Sequence, residues 1–376
     1  MATSRRPTPR GFTLIELLVV VAIIAMLISI LLPSLRCARE KARAARCGVQ
    51  LRNLGTGLNA YITEHNGWIP GINTSGVAAR VAGRGGDAGL LRRPDTPIQS
   101  FDWISPVIRH ETELGANRAQ RLRTIMNEYA CPSQAGLTID FLYSEGLQRS
   151  PDRADFTNDI VSTYAPVSYL MPAHFQFWGQ DYRDRVIAMG RSSAGRPIPI
   201  EAAVANPDWS AWHPGGYQSR LELVGPPGRK IAAADGTRYV LGDGSSIDID
   251  INPATDRFGM FASNGAWWCG SQAYGVKNGT KNWNGTTVNS GSDQYPAAQG
   301  RNMVWSYRHG CVNRGAVTES VHDNHGEINA LFFDGHVARL DDRASRQIEY
   351  WYPAGTVTNN GPLNGLIDVP NGYEVP

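Results

Sequence analysis

The sequence predicts an α+β protein, with one long N-terminal helix laid against an antiparallel β-sheet head that carries long loop insertions. Three observations predict it. Sixteen residues without a charge, Leu17 to Leu32, follow Phe12-Thr13-Leu14-Ile15-Glu16. A helical spacing of small and apolar residues then continues almost to residue 65. Beyond it the chain breaks into short β-like runs separated by Gly, Pro, Asn and Asp.

The first element is the apolar half of the helix. Phe12 to Leu32 is 21 residues, about 31 Å as a helix and enough to cross a hydrocarbon core of about 30 Å. A secretory signal peptide fits poorly. The run is too long for its apolar core, and no small-x-small cleavage site follows Leu32. Glu16 needs an explanation, because a charged side chain at the centre of a bilayer helix costs on the order of 2.5–3.5 kcal/mol.

The second half reads SLRCAREKARAARCGVQLRNLGTGLNAYITEHNGWIP. Leu35, Ala38, Ala42, Ala45, Val49, Leu54, Leu58, Tyr61 and Ile62 keep three- and four-residue steps. Asn66-Gly67 supplies a stop, with Pro70 just beyond. A helix from Thr13 to His65 is about 80 Å long, kinked at Pro33 and softened at Gly55 and Gly57. Between Arg36 and Arg52 lie six basic residues and one acid, Glu40. They form either a solvated face or a contact for anionic headgroups and acidic patches on neighbouring chains.

In the head, Asn73 to Pro97 reads as an exposed loop and Asn117–Tyr129 as a helix. Strand-like runs are Arg185–Met189, Lys230–Ala233, Arg238–Leu241, Ser246–Ile251, Ala330–Phe333 and Val337–Leu340. The Gly- and Trp-rich stretch Gly259 to Trp305 belongs to the insertions. Asp334-Gly335 between the last two runs signals a two-residue hairpin, since both turn positions tolerate positive φ.

The string Arg10-Gly11-Phe12-Thr13-Leu14-Ile15-Glu16-Leu17-Leu18-Val19-Val20 resembles the class III signal of type IV pilins and type II secretion pseudopilins. The resemblance implies cleavage by prepilin peptidase between Gly11 and Phe12 and N-methylation of Phe12. It also implies that Glu16, fifth in the mature chain, offsets the amino terminus of a neighbouring subunit during filament assembly. Asn329 to Leu340 resembles the end of the H-X9-DG group of prepilin-type proteins, found in Planctomycete-type bacteria. Here His325 precedes Asp334 by eight intervening residues rather than nine. Cys131-Pro132-Ser133 and Lys230-Ile231-Ala232-Ala233-Ala234-Asp235-Gly236 agree with that group.

An oxidising compartment for the head, which the resemblance implies, would favour disulfides. The preferred pairs are Cys47 with Cys131 and Cys269 with Cys311, leaving Cys37, though five cysteines allow fifteen choices of two bridges. No cofactor is expected. A zinc site at His322, His325 and His336 is chemically reasonable, but hydrogen-bonding histidines and a turn account for the same residues. Asp243, Asp248, Asp250, Asn252 and Asp256 could offer oxygens to calcium, yet Ile247 to Ile251 alternates as a half-exposed strand. Trp267, Trp268 and Trp283 either stack on sugars or a secreted partner or pack under loops.

Composition sets the outer limits. Lys+Arg 36 against Asp+Glu 34 argues against nucleic acid as a partner. Residues 12–66 hold 6 basic and 3 acidic side chains and residues 67–376 hold 27 and 31, a basic stem beneath a mildly acidic head. No G-x-S-x-G, H-E-x-x-H, P-loop or dinucleotide fingerprint occurs, so no enzyme is expected. The expected protein is a pseudopilin-like subunit of a type II secretion or type IV-pilus-like filament. It divides into a leader (1–11), a transmembrane and stem helix (12–66) and a periplasmic head (67–376). Its partners are prepilin peptidase, other subunits in a homo-polymer or mixed filament, inner-membrane lipids and secreted cargo. It starts as a single-pass inner-membrane protein with a cytoplasmic N-terminus and ends there or in a filament or at the cell surface. The alternatives are a membrane-tethered head that binds carbohydrate or protein outside any filament, and a tethered metallohydrolase.

Overall fold

Straight-chain and aliphatic residues without a breaker favour helix over residues 14–32, and the computed structural model carries that helix on as α1, Leu14–Glu64. The structure describes residues 13–70, 98, 102–109, 115–134, 154–156, 167–179, 181, 186–191, 197–201, 211–239, 261–263, 302–305, 309–310, 327–345, 347–358 and 372–376. The helix assignment passes through Pro33 without a break. The helix ends at His65, whose N–H reaches the Tyr61 carbonyl at 3.0 Å, and Asn66 and Gly67 follow at positive φ.

Two shorter helices pack behind it, α2 (Ile104–Ile108) and α3 (Arg118–Glu128). Asn117 caps α3 by accepting the Gln120 N–H at 2.8 Å. Among the described residues ten strands follow in chain order: β1 (Tyr169–Pro172), β2 (Val186–Arg191), β3 (Pro197–Glu201), β4 (Ala211–Trp212), β5 (Ile231–Tyr239), β6 (Ala262–Ser263), β7 (Asn302–Trp305), β8 (Glu327–Phe332), β9 (Val337–Asp341) and β10 (Val357–Thr358). The main sheet runs β6-β1-β5-β8-β9, with β7 paired to the far end of β5. Its four central strands, β1-β5-β8-β9, are antiparallel, and β6 joins β1 in parallel. This is an α+β, pilin-like architecture.

Alternation along the strands builds two cores. Leu331 and Phe333 of the hairpin, Tyr169 and Met171 of β1 and Ala233 of β5 face α1, meeting Cys47, Leu51, Leu54 and Leu58. Ile328, Ala330, Phe332, Leu170 and Ala234 face the other way, onto Trp305, Trp351 and Tyr352. The same alternation continued to Asp235 and Asn329 turns two polar side chains toward the stem.

The sequence reading needs four corrections. The two runs Lys230–Ala233 and Arg238–Leu241 are, as far as described, one strand, β5. Asp235-Gly236 does not interrupt it, because Asp235 is held by partners across the sheet. The stretch Gly259 to Trp305 does more than form insertions, since it supplies β6 and β7 to the main sheet.

The 334–335 hairpin is not a two-residue turn. Gly335 N–H bonds the Phe332 carbonyl at 2.9 Å and Phe332 N–H bonds the His336 carbonyl at 2.9 Å. Only Gly335 of the connection has positive φ (91°). That is a three-residue loop closed by a glycine bulge. Gly55 and Gly57 act as points of close approach rather than as soft spots. A Cβ on Gly55 would lie 2.6 Å from Leu331 Cδ1, and one on Gly57 2.6 Å from the Val107 carbonyl oxygen. Residues 246–251 and 73–97 lie outside the described residues.

Candidate functional site

Two stretches of α1 position the candidate functional groups. The first is the apolar end. From Leu14 to Leu35 the large side chains are exposed in the single chain, and Glu16 is the one charged residue of that stretch. Ser29 and Ser34 return their hydroxyls to the Met26 and Leu31 carbonyls at 2.7 and 2.9 Å, so both hydroxyls are satisfied within the helix. The helix is long and apolar enough to cross a membrane.

Glu16 sits in a capping box. Its Oε2 accepts the Thr13 backbone N–H and the Thr13 hydroxyl, both at 2.8 Å, while the Thr13 oxygen accepts the Glu16 N–H at 3.3 Å. The carboxylate is therefore folded back over the first turn. That places a negative charge against the unpaired N–H groups at the positive end of the helix. Gly11 and Phe12 lie outside the described residues.

The second stretch is the seam between stem and sheet, around Glu40, Ala44 and Cys47. A disulfide joins Cys47 of α1 to Cys131, just past α3, with Cα atoms 5.4 Å apart. Cys131 N–H donates to Ser168 Oγ at 2.8 Å. His309 is docked on the start of β8 by paired backbone bonds with Glu327, 3.1 and 2.8 Å. Its Nδ1 lies 3.1 Å from Glu40 Oε1 and its Nε2 3.1 Å from Asp235 Oδ2. Nε2 is also 3.7 Å from Cys131 Sγ.

Asp235 Oδ2 accepts the Asn329 N–H at 2.6 Å, and Asn329 Nδ2 donates to the Ala44 carbonyl at 3.2 Å. Ser133 Oγ donates to Glu40 Oε1 at 2.5 Å. Tyr169 OH donates to Gln50 Oε1 at 2.6 Å, and Gln50 Nε2 to the Glu128 carbonyl at the end of α3 at 2.8 Å. The stem is thus tied to three separate parts of the head by polar groups, of which His309, Asp235 and Asn329 are buried.

Cys37 is disulfide-bonded as well and is therefore not left over. The expected pairing of Cys269 with Cys311 lies outside the described residues. His322, His325, the acidic residues 243–256, Trp267, Trp268 and Trp283 lie outside the described residues. His336 is part of the hairpin. Its Nδ1 lies 2.6 Å from Asp334 Oδ1, and its ring stacks on Phe332 with centroids 4.2 Å apart. His309 and Asp235 are the functional candidates that sequence reasoning passed over. The Lys230–Gly236 motif pointed to one of them but carried no hint of its partner.

The head also buries a pair of histidines. His174 Nδ1 and His213 Nε2 are 2.9 Å apart, beside Tyr217 and Tyr352. Burial, and then the neighbouring His174, push His213 well below the usual imidazole range. Burial also holds Lys230 down to about 8, with Glu349 pulling the other way.

The family model described as the prokaryotic N-terminal methylation motif matches residues 6–32. A curated relative, the type IV major pilin protein PilA of Myxococcus xanthus, is 30% identical over 129 residues, which cover 32% of this chain and 58% of the relative. The chain thus spans little more than half the length of that relative. No solved structure matches. The chain carries a prepilin-type N-terminal motif and is similar to a type IV pilin over about a third of its length.

Proposed function

We propose that the chain is a pseudopilin-like structural subunit that polymerises through its N-terminal helix, in a type II secretion or type IV-pilus-like filament. One observation carries the reading. A single helix has a fully exposed apolar half bearing one carboxylate, Glu16, and continues into a half built into the head's core. Such a half needs lipid before assembly and neighbouring helices after it. A carboxylate in that low-dielectric setting needs a cation close by. A free amino terminus of the next subunit supplies one once residues 1–11 are removed between Gly11 and Phe12.

On this reading prepilin peptidase processes and methylates the chain, residues 12–66 form the span and stem, and residues 67–376 form a periplasmic head. The relative named a major pilin supports a filament role. The work is mechanical, and the residues described here serve packing rather than catalysis.

Mass spectrometry of the mature chain tests the processing, with a terminus at Phe12 heavier by one methyl group as the expected result. An intact Met1 in the membrane-bound chain would refute it. Assembly is tested by Glu16→Ala together with Glu16→Gln. Glutamine keeps an oxygen for the Thr13 N–H but loses the charge. Both variants are expected to keep a folded head and to lose filaments. Wild-type filaments from Glu16→Gln would assign Glu16 to capping and remove the charge argument.

A further inference from the structure

Charge marks the step from the exposed half of α1 to its buried half. Arg36, Arg39, Lys41, Arg43 and Arg46 follow Leu35, the last large apolar side chain of the outer half, and all five are exposed. Glu40 is the one acid among them. It is turned to the head, where its Oε1 meets Ser133 Oγ and His309 Nδ1, and its Oε2 stands 3.8 Å from Arg43. Arg36, Arg39, Lys41 and Arg46 have no ion pair among the described residues. Arg36, Arg39, Arg43 and Arg46 recur at steps of three and four and so line one side of the helix.

Their height along the stem matters, on the reading that the outer half spans a membrane. Leu35 then stands at the edge of the hydrocarbon core, and the headgroup layer above it is about 5–8 Å deep. Arg36 and Arg39 lie about 2 and 6 Å above Leu35, within that layer, and Lys41 and Arg43 about 9 and 12 Å above it. Side chains on a helix lean toward its N-terminus, here toward the lipid, so Lys41 and Arg43 reach down with their long stems. Ser133 and His309 of the head are held at Glu40, about 8 Å above Leu35, where the headgroup layer ends.

Topology does not account for these charges. Cys37 and Cys47 form disulfides, which puts this stretch on the oxidising side of the membrane. Basic residues favour the cytoplasmic side, yet three Arg (Arg5, Arg6 and Arg10) precede the span and five cations follow it. The bias runs against the orientation that the disulfides require, so the five cations call for a counter-charge of another kind. In the membrane a neighbouring copy brings the same cations to the same height. Lipid phosphate is already there, and Arg binds it through two parallel N–H···O bonds.

We propose that Arg36, Arg39, Lys41 and Arg43 form a collar that binds the phosphate groups of anionic phospholipids in the leaflet beneath the head. The collar rests on the membrane-spanning part of the proposed function, and it names the lipid that the subunit meets before assembly.

The test uses the full chain with its disulfides intact, reconstituted in phosphatidylcholine vesicles. These contain a trace of spin-labelled phosphatidylglycerol or of spin-labelled phosphatidylcholine, and electron spin resonance reads the fraction of label held against the protein. The expected result is a preference for phosphatidylglycerol of roughly fivefold, the gain from about one cation at an anionic surface. Salt at about 1 M, with a screening length of about 3 Å, should bring the preference toward unity. Arg36→Gln, Arg39→Gln and Arg43→Gln together should abolish it. Arg52→Gln, about 25 Å above Leu35, should keep it. An unchanged urea midpoint of the head shows that these variants fold.

Equal binding of the two lipids by the wild-type chain would overturn the collar, as would a preference that survives the triple substitution. Equal binding, with filaments lost in the triple variant, would overturn it in favour of acidic groups on a neighbouring chain. These outcomes leave the span standing, since label is still held. A chain that carbonate extracts from the vesicles, holding neither label, would overturn the span and the collar together.

Discussion

The two halves of α1 are one continuous helix in two different solvents. Residues 14–35 present Leu, Ile and Val on every side, and all their large apolar side chains remain exposed in the single chain. Residues 44–62 bury one stripe only: Ala44, Cys47, Leu51, Leu54, Leu58, Tyr61 and Ile62. Their spacing of three and four residues is that of a helix packed on a core. The outer half offers no face to choose between, as expected for a segment surrounded by lipid or by other helices. The inner half is specified to a single orientation against a single sheet. Damage to the first half should therefore change what the chain assembles with, and damage to the second should change whether the head holds together.

The largest difference is expected between two leucines on the same helix. Leu54→Ala empties space in the core beside Leu331 and Phe333 and should cost the head about 2–5 kcal/mol, as buried leucine truncations do. Leu27→Ala, in the exposed half, should leave head stability within about 0.5 kcal/mol. Urea unfolding of both variants in detergent, followed by tryptophan fluorescence, measures the contrast. Equal losses would mean that the outer half packs on the head, and the division of the helix would fail.

How much of this was legible beforehand follows the same division. The outer half was readable because an uncharged run and a single Glu are local facts of the chain. The inner stripe was readable in outline from its period. The glycines were misread, because a helix sequence cannot show that Leu331 or the Val107 carbonyl will approach within van der Waals distance.

The seam was hidden for a related reason. His309 meets Glu40 across 269 residues of sequence, and it sits in a loop with no repeating pattern to mark it. Asp235-Gly236 read as a break because Asp and Gly usually end strands. Here Asp235 is tolerated mid-strand because the Asn329 N–H and His309 stand opposite it. Asp334-Gly335 marked the hairpin correctly but not its loop length, which the Gly335 bulge settles.

A smaller effect separates the head from the stem by pH. His213 is held neutral by burial in the folded head, and an unfolded histidine titrates near 6.5. Below that pH the unfolded chain binds a proton that the folded chain refuses, so stability falls as pH drops. Between pH 7 and 5 the loss reaches up to about 2 kcal/mol for a histidine that takes no proton when folded. The groups facing His213 are His174 and Tyr217, and His213→Phe should flatten this part of the pH profile while lowering the plateau. A variant whose stability still falls as steeply as wild type would place the acid sensitivity elsewhere.

The smallest expected effect is a gain, and it tests the inner half at its finest grain. Three glycines lie on the buried half of α1, and a helix interior disfavours glycine by roughly 0.5–1 kcal/mol relative to alanine. At Gly57 a methyl group would strike the Val107 backbone 2.6 Å away, so packing outweighs propensity and Gly57→Ala is destabilising. At Gly48 the nearest atoms, on Asn329 and Val337, stand 3.9 Å off, which is ordinary contact. Gly48→Ala should therefore stabilise the head by about 0.5–1 kcal/mol, read as a rise in the urea midpoint at unchanged slope. A loss at Gly48 would show that the stem lies closer to β8 and β9 than the 3.9 Å separations indicate.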